Sequence, residues 1–220
     1  MKIFYFQNDN FGDILSPIIT EYFLGITERA KGSEQGKILL VGSVISRMKE
    51  NDVVIGSGLI KDTTMKVPKG ARVLAVRGPL TRNRLSPKPP KVYGDPAILM
   101  PLIYYPDVKK TKDYGVIPHF IEKEKYGNEI IDIKGDWKEV INQVLACRMI
   151  YSSSLHGIVI AEAYGIPAVW LPPGKGIIGG RFKFKDYFLG TGRRVEPNQV
   201  APLPNLKKLQ NNIIKCLKKI

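Results

Sequence analysis

Short β-forming runs alternate along the chain with segments whose apolar residues recur at helical spacing, and this alternation constrains the fold most. Strands and helices in regular succession are typical of βα units arranged around parallel sheets. The pattern predicts strands at 2–6, 37–42, 52–58, 72–76, 91–94, 114–118, 129–133, 148–152 and 167–171. It predicts helices at 14–24, 43–50, 79–85, 136–146 and 155–164. We therefore expect a fold of the α/β class.

A segment rich in Pro, Lys and Asp, MPLIYYPDVKKTKD, separates the strands into two groups. This composition is typical of a linker between domains. We predict an N-terminal lobe over residues 1–104, a second lobe over 105–200 and a C-terminal basic helix over 201–220. In that last segment Leu206, Leu209 and Ile213 recur at helical spacing. A helix that closes the fold and a basic amphipathic helix that touches an anionic membrane both stay open, and they are not exclusive.

The charge balance favours anionic partners. The chain has 34 Lys and Arg against 20 Asp and Glu, which gives a net charge of +14. Phosphorylated metabolites and acidic lipid headgroups fit this charge. Nucleic acid ranks last, because the basic residues are dispersed and no nucleic-acid-binding signature is present.

Location and cofactors follow from what the sequence does not contain. No apolar run has the length of a membrane span, and the N-terminal run is too short for a secretory signal. Cys147 and Cys216 are far apart, which favours buried thiols in a reducing compartment. No spacing typical of a metal site, GxGxxG motif or P-loop occurs. We expect a cytoplasmic protein without a metal or cofactor.

Ligands of open α/β sheets bind beyond the carboxyl ends of the strands, where helix N-termini attract anions. At the first such turn Asn10 and Gly12 precede Asp13, which is interpreted either as a helix cap or as a carboxylate that accepts a proton. At the second, Arg77 precedes Gly78 and a proline suited to the first helical position. Its guanidinium either binds a phosphate or carboxylate in bidentate fashion or lies solvated on the surface.

Two further turns hold small or acidic residues. Gly56 and Ser57 belong to a Gly-Ser-Gly turn, where the backbone is able to approach a ligand closely. Asp95 precedes a proline and an apolar run, and this pattern favours a structural helix cap.

The segment with the strongest signal is IYSSSLHGIVIAEAYGIPAVW, which contains one of only two histidines. Any of Ser152, Ser153 and Ser154 is suited to cap the following helix, which places His156 in its first turn. A single histidine is usually structural, but this position suits a phosphate ligand. His119 is interpreted as a cleft or core-edge residue, and Glu162 as a supporting or surface residue.

Read in order, the motifs NDNFGD, GSG, RGP, GDPA and SSSLHGIVIAEAYGIPAVW resemble the polysaccharide pyruvyl transferase family, which includes bacterial exopolysaccharide and capsule enzymes. The resemblance extends from about Gln7 to Phe188. It implies two Rossmann-like lobes like those of GT-B glycosyltransferases, with the last helix crossing back to the first lobe. It also implies transfer of pyruvate from phosphoenolpyruvate to a sugar of a cell-surface polysaccharide or a lipid-linked precursor, with formation of a ketal.

The resemblance also implies site residues. Arg77, Ser154, Leu155 and His156 correspond to the phosphoenolpyruvate site of the family. We predict His156 as proton donor or phosphate ligand, Arg77 as a clamp on the donor, and Asp13 as the group that handles the acceptor hydroxyl. Further predicted substrate contacts are Asn10, Gly56, Ser57, Ser153 and Gly157.

Two other functions compete with this prediction. A GT-B glycosyltransferase with a nucleotide-sugar donor would use the same architecture, because fold alone does not decide chemistry. A non-catalytic binding protein of the same fold would keep the architecture and lose the cleft chemistry. Contact with the inner face of an anionic membrane is expected if the acceptor is lipid-linked.

Overall fold

The computed structural model describes residues 1–7, 11–119, 122, 130–174 and 179–220. Its first half contains β1 (Ile3–Phe4), β2 (Ile38–Leu39), β3 (Val53–Ile55), β4 (Met65–Lys66), β5 (Arg72–Ala75) and β6 (Leu85–Ser86). The order β1-β2-β3-β5 forms a parallel sheet, and β4 pairs with β6 separately. This sheet places the turns that follow β3 and β5 at the same edge.

The second half contains β7 (Lys112–Ile117), β8 (Cys147–Ser152), β9 (Ala168–Trp170) and β10 (Val200–Ala201). Their order is β10-β9-β8-β7, parallel except for β10, which runs antiparallel to β9. The strand predicted at 129–133 reduces, in the described residues, to a bridge between Ile130 and Val116. The parallel sheets of the predicted α/β class are confirmed.

The helices are α1 (Phe11–Leu24), α2 (Pro79–Asn83), α3 (Trp137–Ala146), α4 (Leu155–Ala163), α5 (Phe182–Gly190) and α6 (Lys207–Leu217). Short 3-10 helices cover Ile45–Arg47 and Pro96–Leu102. The helix predicted at 43–50 is wrong, because the Asp52 carboxylate accepts a hydrogen bond from the Lys49 amide at 2.7 Å and fixes a turn there. The strand predicted at 91–94 reduces to a bridge between Tyr93 and Val76.

One continuous apolar core joins the two sheets. Ile38 of the first sheet and Ile150 of the second belong to the same cluster, together with residues of α1, α4 and the 96–102 helix. Residues 155–162 of α4 are all buried, as expected for a helix that is apolar on every side. The entrance of α4 therefore lies in the interior. The division of the chain at residues 104 and 200 stays a prediction.

The C-terminal helix α6 packs against the first half of the chain. Gln210 Nε2 donates to the Ile98 carbonyl at 2.9 Å, Ile213 is fully buried, and the Cys216 thiol lies 3.6 Å from the Leu74 carbonyl oxygen. The lysines of α6 and of the residues that follow it are exposed: Lys207, Lys208, Lys215, Lys218 and Lys219. The closing-helix interpretation is confirmed, and membrane contact stays a prediction.

Two further predictions concern cysteines and membrane spans. Neither Cys147 nor Cys216 forms a disulfide and both are buried, which confirms the prediction of buried thiols. Within the part of the chain that the structure describes, no helix combines the length and apolarity needed to span a bilayer.

Candidate functional site

The entrance of α4 holds His156 with 8% of its surface exposed. The preceding Ser154 occupies the N-cap position, but its side chain makes no capping bond. The Ser152 hydroxyl instead accepts from the Ser154 amide at 3.0 Å, and the Ser153 hydroxyl donates to Glu122 at 3.0 Å. The serines thus shape the turn before α4. Ser154 is the one of the three candidate serines that holds the predicted N-cap position, but without a side-chain capping bond.

Two buried carboxylates lie beside the His156 imidazole. Asp95 Oδ2 is 3.5 Å from His156 Nε2, and neither atom has a hydrogen-bond partner among the described residues. Asp13 is 7% exposed, and its Oδ1 accepts from the Phe6 amide at 3.4 Å. Burial raises the pKa of Asp13, while the nearby His156 and the Phe6 amide act in the opposite direction. We call His156, Asp13 and Asp95 the histidine–carboxylate cluster.

Both carboxylates differ from their sequence interpretation. Asp13 is not the cap of α1, because α1 begins two residues earlier, at Phe11, and places Asp13 inside its first turn. Asp95 is the predicted cap of the 96–102 helix, since its Oδ1 accepts from the Ala97 amide at 3.0 Å. Its contact with His156 was missed, because that contact joins elements that are distant in sequence.

A close approach of α1 to α4 leaves room for glycine alone at position 12. A Cβ on Gly12 would overlap Cε1 and Nδ1 of the His156 imidazole. Gly42, with φ of +95°, lies on another side, where a Cβ would be 4.0 Å from His156 Cε1. The imidazole is therefore enclosed by α1, the Gly42 turn and Asp95.

Arg77 is fully buried, so the interpretation as a solvated surface arginine is wrong. Its Nε lies 3.3 Å from Asp186 Oδ2, one terminal nitrogen donates to Ser43 Oγ at 2.8 Å, and the other donates to the Leu59 carbonyl at 2.5 Å. A guanidinium carries five N–H donors. The Nε–H, which makes no hydrogen bond despite its distance to Asp186, and one N–H on each terminal nitrogen are therefore without an acceptor in the described part of the chain.

Asp186 ties Arg77 to α2 and α5. Its carboxylate accepts from the Thr81 amide at 3.0 Å and from the Thr81 hydroxyl at 2.6 Å. The same carboxylate faces Arg77. Because these partners come from both halves of the chain, Asp186 fixes the position of the guanidinium at the junction between them.

Lys183, in the first turn of α5, is a candidate that sequence reasoning missed. It is 9% exposed, and its ammonium lies 5.5 Å from the centroid of the Phe184 ring. Of the residues that the structure describes, none accepts a hydrogen bond from this ammonium or forms an ion pair with it. Burial, and to a smaller extent the charge of Arg77, lowers the pKa of Lys183 to about 8. The only sequence signal was a lysine between two phenylalanines.

His119 lies near Lys183. Burial, followed by the charge of Lys183, lowers the pKa of His119 to about 4, while Glu122 acts in the opposite direction. The His119 amide donates to the Ser153 hydroxyl at 2.9 Å, which links it to the turn before α4. Lys183 and Arg77 thus form a second group of side chains, which we call the cationic cluster, with His119 beside it.

The remaining predicted site residues have structural contacts. Gly56 has φ of +78°, and a Cβ there would overlap the Pro96 ring. The Ser57 hydroxyl donates to the Gly42 carbonyl at 2.9 Å, and a Cβ on Gly157 would overlap the Ser152 hydroxyl. Leu155 belongs to the core. Substrate contacts of these four residues, and of Ser153 and Ser154, stay predictions, and Asn10 lies outside the described residues.

Glu162 is buried and bound within the protein. Its carboxylate accepts two hydrogen bonds from Arg193, both at 2.7 Å, and one from the Tyr187 hydroxyl at 2.7 Å. The interpretation as a surface residue is wrong, because α4 lies inside the core. Among the described residues, no group of His, Cys, Asp and Glu side chains is arranged to hold a metal ion.

The turn at 42–43 connects the two clusters. Gly42 faces the His156 imidazole, and Ser43 binds the Arg77 guanidinium. The Ser57 hydroxyl holds this turn by accepting from the Val44 amide at 3.2 Å. A histidine with two carboxylates and a group of cations therefore lie on either side of one short turn. Such groups are able to exchange a proton beside charges that attract an anion.

Comparison with known proteins identifies the family. The family model described as polysaccharide pyruvyl transferase matches residues 10–174. The chain belongs to the polysaccharide pyruvyl transferase family. The match contains Asp13, Arg77, Asp95 and His156, whereas Lys183 lies beyond its end. The resemblance that the sequence motifs indicated is thereby confirmed.

Two relatives of this family member cover most of the chain. The succinoglycan biosynthesis protein ExoV of Rhizobium meliloti is 27% identical over 219 residues, covering 91% of this chain and 68% of ExoV. An uncharacterized protein of Acanthamoeba polyphaga mimivirus is 31% identical over 192 residues, covering 79% of this chain. The chain spans 65% of the length of that viral protein. No solved structure matches the chain.

Proposed function

We propose that this pyruvyl transferase family member moves pyruvate from phosphoenolpyruvate to a saccharide and forms a ketal across two hydroxyls. The observation that carries the proposal is the buried His156 beside two carboxylates, with the cationic cluster across the 42–43 turn. Phosphoenolpyruvate carries a phosphate and a carboxylate around one reactive double bond. Its two anionic groups are equal in number and opposite in charge to the two cations of that cluster.

The chemistry begins with a proton. His156, as an imidazolium, gives a proton to C3 of the enol, and C2 becomes electrophilic. A sugar hydroxyl then forms a C–O bond to C2 and gives its proton to the Asp13 carboxylate. The C2–O bond to phosphate breaks, and phosphate leaves with both electrons of that bond. A second hydroxyl attacks C2, gives its proton to the now neutral His156 imidazole and closes the ketal. The proton held by Asp13 passes to the released phosphate, so both groups return to their starting state.

Arg77 and Lys183 are proposed to bind the phosphate and the carboxylate of the donor. The terminal N–H groups of Arg77 that lack an acceptor suit a pair of oxygens, and the Asp186 carboxylate lies beside the guanidinium. Lys183 supplies a point charge in buried surroundings, where an ion pair is strengthened by the low local dielectric. An anion between them would remove the repulsion between the two cations.

The acceptor is proposed to be a sugar of a surface polysaccharide or of its lipid-linked precursor. The family description and the name of ExoV support a saccharide acceptor. The exposed lysines of α6 support a location at the inner face of the membrane in the cytoplasm. The two-lobed GT-B-like arrangement belongs to the same proposal. It is supported by one parallel and one mostly parallel sheet, with candidate site residues contributed by both halves of the chain.

The test is incubation of the purified protein with phosphoenolpyruvate and a panel of oligosaccharides. We expect phosphate release and an acceptor that gains the mass of one pyruvate ketal, with both lost in His156→Ala. Thermal unfolding with phosphoenolpyruvate and with nucleotide sugars separates the alternatives, since a ligand stabilises the folded state that binds it. Stabilisation by a nucleotide sugar alone would favour a glycosyltransferase, and stabilisation by neither would contradict the proposal.

A further inference from the structure

The two oxygens of the Asp95 carboxylate have different surroundings. Oδ1 accepts from the Ala97 amide at 3.0 Å and caps the 96–102 helix. Oδ2 is buried and has no hydrogen-bond donor among the described residues. The atom that it faces, His156 Nε2 at 3.5 Å, is buried and equally without a partner. A cap needs only one of these oxygens, so the second is left for the imidazole.

The opposite nitrogen of the ring lies against α1. A Cβ on Gly12 would overlap His156 Nδ1 and Cε1, so this edge of the ring faces the backbone of α1 with no side chain between them. Unlike Nε2, Nδ1 is not among the fully buried atoms that lack a hydrogen-bond partner in the described residues. Asp13, the residue after Gly12, is the carboxylate that we assign to the acceptor hydroxyl. With Nε2 turned to Asp95, Nδ1 is the ring nitrogen left to exchange protons with a substrate.

We propose that Asp95 is a positioning residue for His156: its carboxylate holds Nε2–H, so that Nδ1 is the atom that delivers the proton. The contact between Asp95 and Nε2 concerns the protein alone, whereas proton delivery from Nδ1 rests on the proposed function. In the transfer, the Nδ1–H bond breaks, a C–H bond forms at C3 of the donor, and a neutral imidazole remains with its proton on Nε2. In a neutral imidazole the hydrogen bond of one nitrogen decides which nitrogen keeps the proton.

The titratable groups around the ring come from different elements. Asp13 approaches from α1, and Asp95 precedes the 96–102 helix. Tyr187 of α5 lies near Asp95, but burial raises its pKa, and its hydroxyl donates to Glu162 at 2.7 Å. It therefore stays neutral and does not compete with His156 for Asp95.

The test uses ¹⁵N NMR of the imidazoles, which is favourable because the chain has only two histidines. Comparison with His156→Ala assigns the signals. In the wild-type protein we expect the neutral His156 ring to carry its proton on Nε2. In Asp95→Asn the cap is kept, because Asn is a good capping residue, but the charge is lost. We expect the neutral His156 ring of this variant to carry less of its proton on Nε2 than in the wild type, and the variant to lose about a hundredfold in kcat/KM.

The matched control is Asp136→Asn. Asp136 caps α3 by accepting from the Lys138 and Glu139 amides at 2.9 and 3.2 Å, and among the described residues it forms no hydrogen bond or ion pair with a histidine. The same change of charge there is expected to leave the His156 signals and the activity unchanged.

Each outcome decides one part of the proposal. A wild-type ring with its proton on Nδ1, or an unchanged proton position in Asp95→Asn, overturns the role of Asp95. The wild-type measurement does not depend on whether any variant folds. The predicted NMR result in a protein that consumes no phosphoenolpyruvate would support the contact between Asp95 and His156 and reject the proposed function separately.

Discussion

Replacing Lys183 by methionine is expected to stabilise the protein at neutral pH in the absence of ligand. Lys183 is buried, and none of the described residues forms an ion pair with it or accepts a hydrogen bond from it. A buried charge without a partner opposes folding. Methionine keeps a flexible chain of similar length and removes the charge, so the cost of burying that charge disappears.

The magnitude follows from the pKa of Lys183, which burial lowers from 10.5 to about 8. A shift of one pKa unit corresponds to about 1.4 kcal/mol, so the free energy of unfolding is expected to rise by about 3 kcal/mol in Lys183→Met. The sign depends on pH. Below pH 8 both folded and unfolded states carry the charge, and the full cost applies. Between pH 8 and 10.5 the folded protein releases the proton first, and wild-type stability rises towards that of the variant.

The assay is urea unfolding of both proteins at several pH values from 7 to above 10. The matched control is Lys185→Met on the same helix, because Lys185 is exposed, and its contact with Glu196 spans 4.0 Å. That control is expected to change stability by less than about 0.5 kcal/mol. Equal stability of wild type and Lys183→Met at pH 7, or a difference that does not shrink as pH rises, would refute the reasoning.

Three further predictions concern the clusters. In Gly12→Ala the new Cβ is expected to overlap His156, lower the free energy of unfolding in urea by about 1 to 3 kcal/mol and abolish phosphate release. A variant with wild-type stability and activity would contradict the packing described. Asp186→Asn is expected to lower the free energy of unfolding by about 3 to 5 kcal/mol, because Arg77 stays buried without its carboxylate, and a loss below about 1 kcal/mol would contradict that role. Because burial raises the pKa of Asp13 above 3.8, kcat/KM is expected to fall with decreasing pH at values above 3.8 as this base is protonated, and a profile that stays flat down to that pH would argue against Asp13 as the base.

The elements that sequence predicted well depend on local signals. The alternation of apolar runs located the sheets, and Asp95 before Pro96 identified a cap, since capping joins residues that are two apart. The start of α4 followed from the serines and the apolar run after them. The helix predicted at 43–50 was wrong although its signal is local, because the Asp52 carboxylate binds the Lys49 amide and fixes a turn there.

The parts of the site that were missed depend on contacts between distant residues. Lys183 is buried because α5 packs beside Arg77 and α2, and the bond from Thr81 to Asp186 spans 105 residues. The Phe-Lys-Phe-Lys segment has no helical periodicity of apolar residues from which the burial of Lys183 could be predicted. The pairing of Asp95 with His156 likewise needs the shared core of both sheets, which no local pattern encodes.

We propose above all that the buried His156 protonates C3 of phosphoenolpyruvate and that a saccharide hydroxyl attacks C2. The most direct measurement is mass spectrometry and NMR of the acceptor after reaction in D₂O. The account predicts an acceptor that gains one pyruvate ketal whose methyl group carries one deuterium, with one phosphate released per ketal, and no product with His156→Ala. A methyl group without deuterium, or an unchanged product in the His156→Ala reaction, would contradict it.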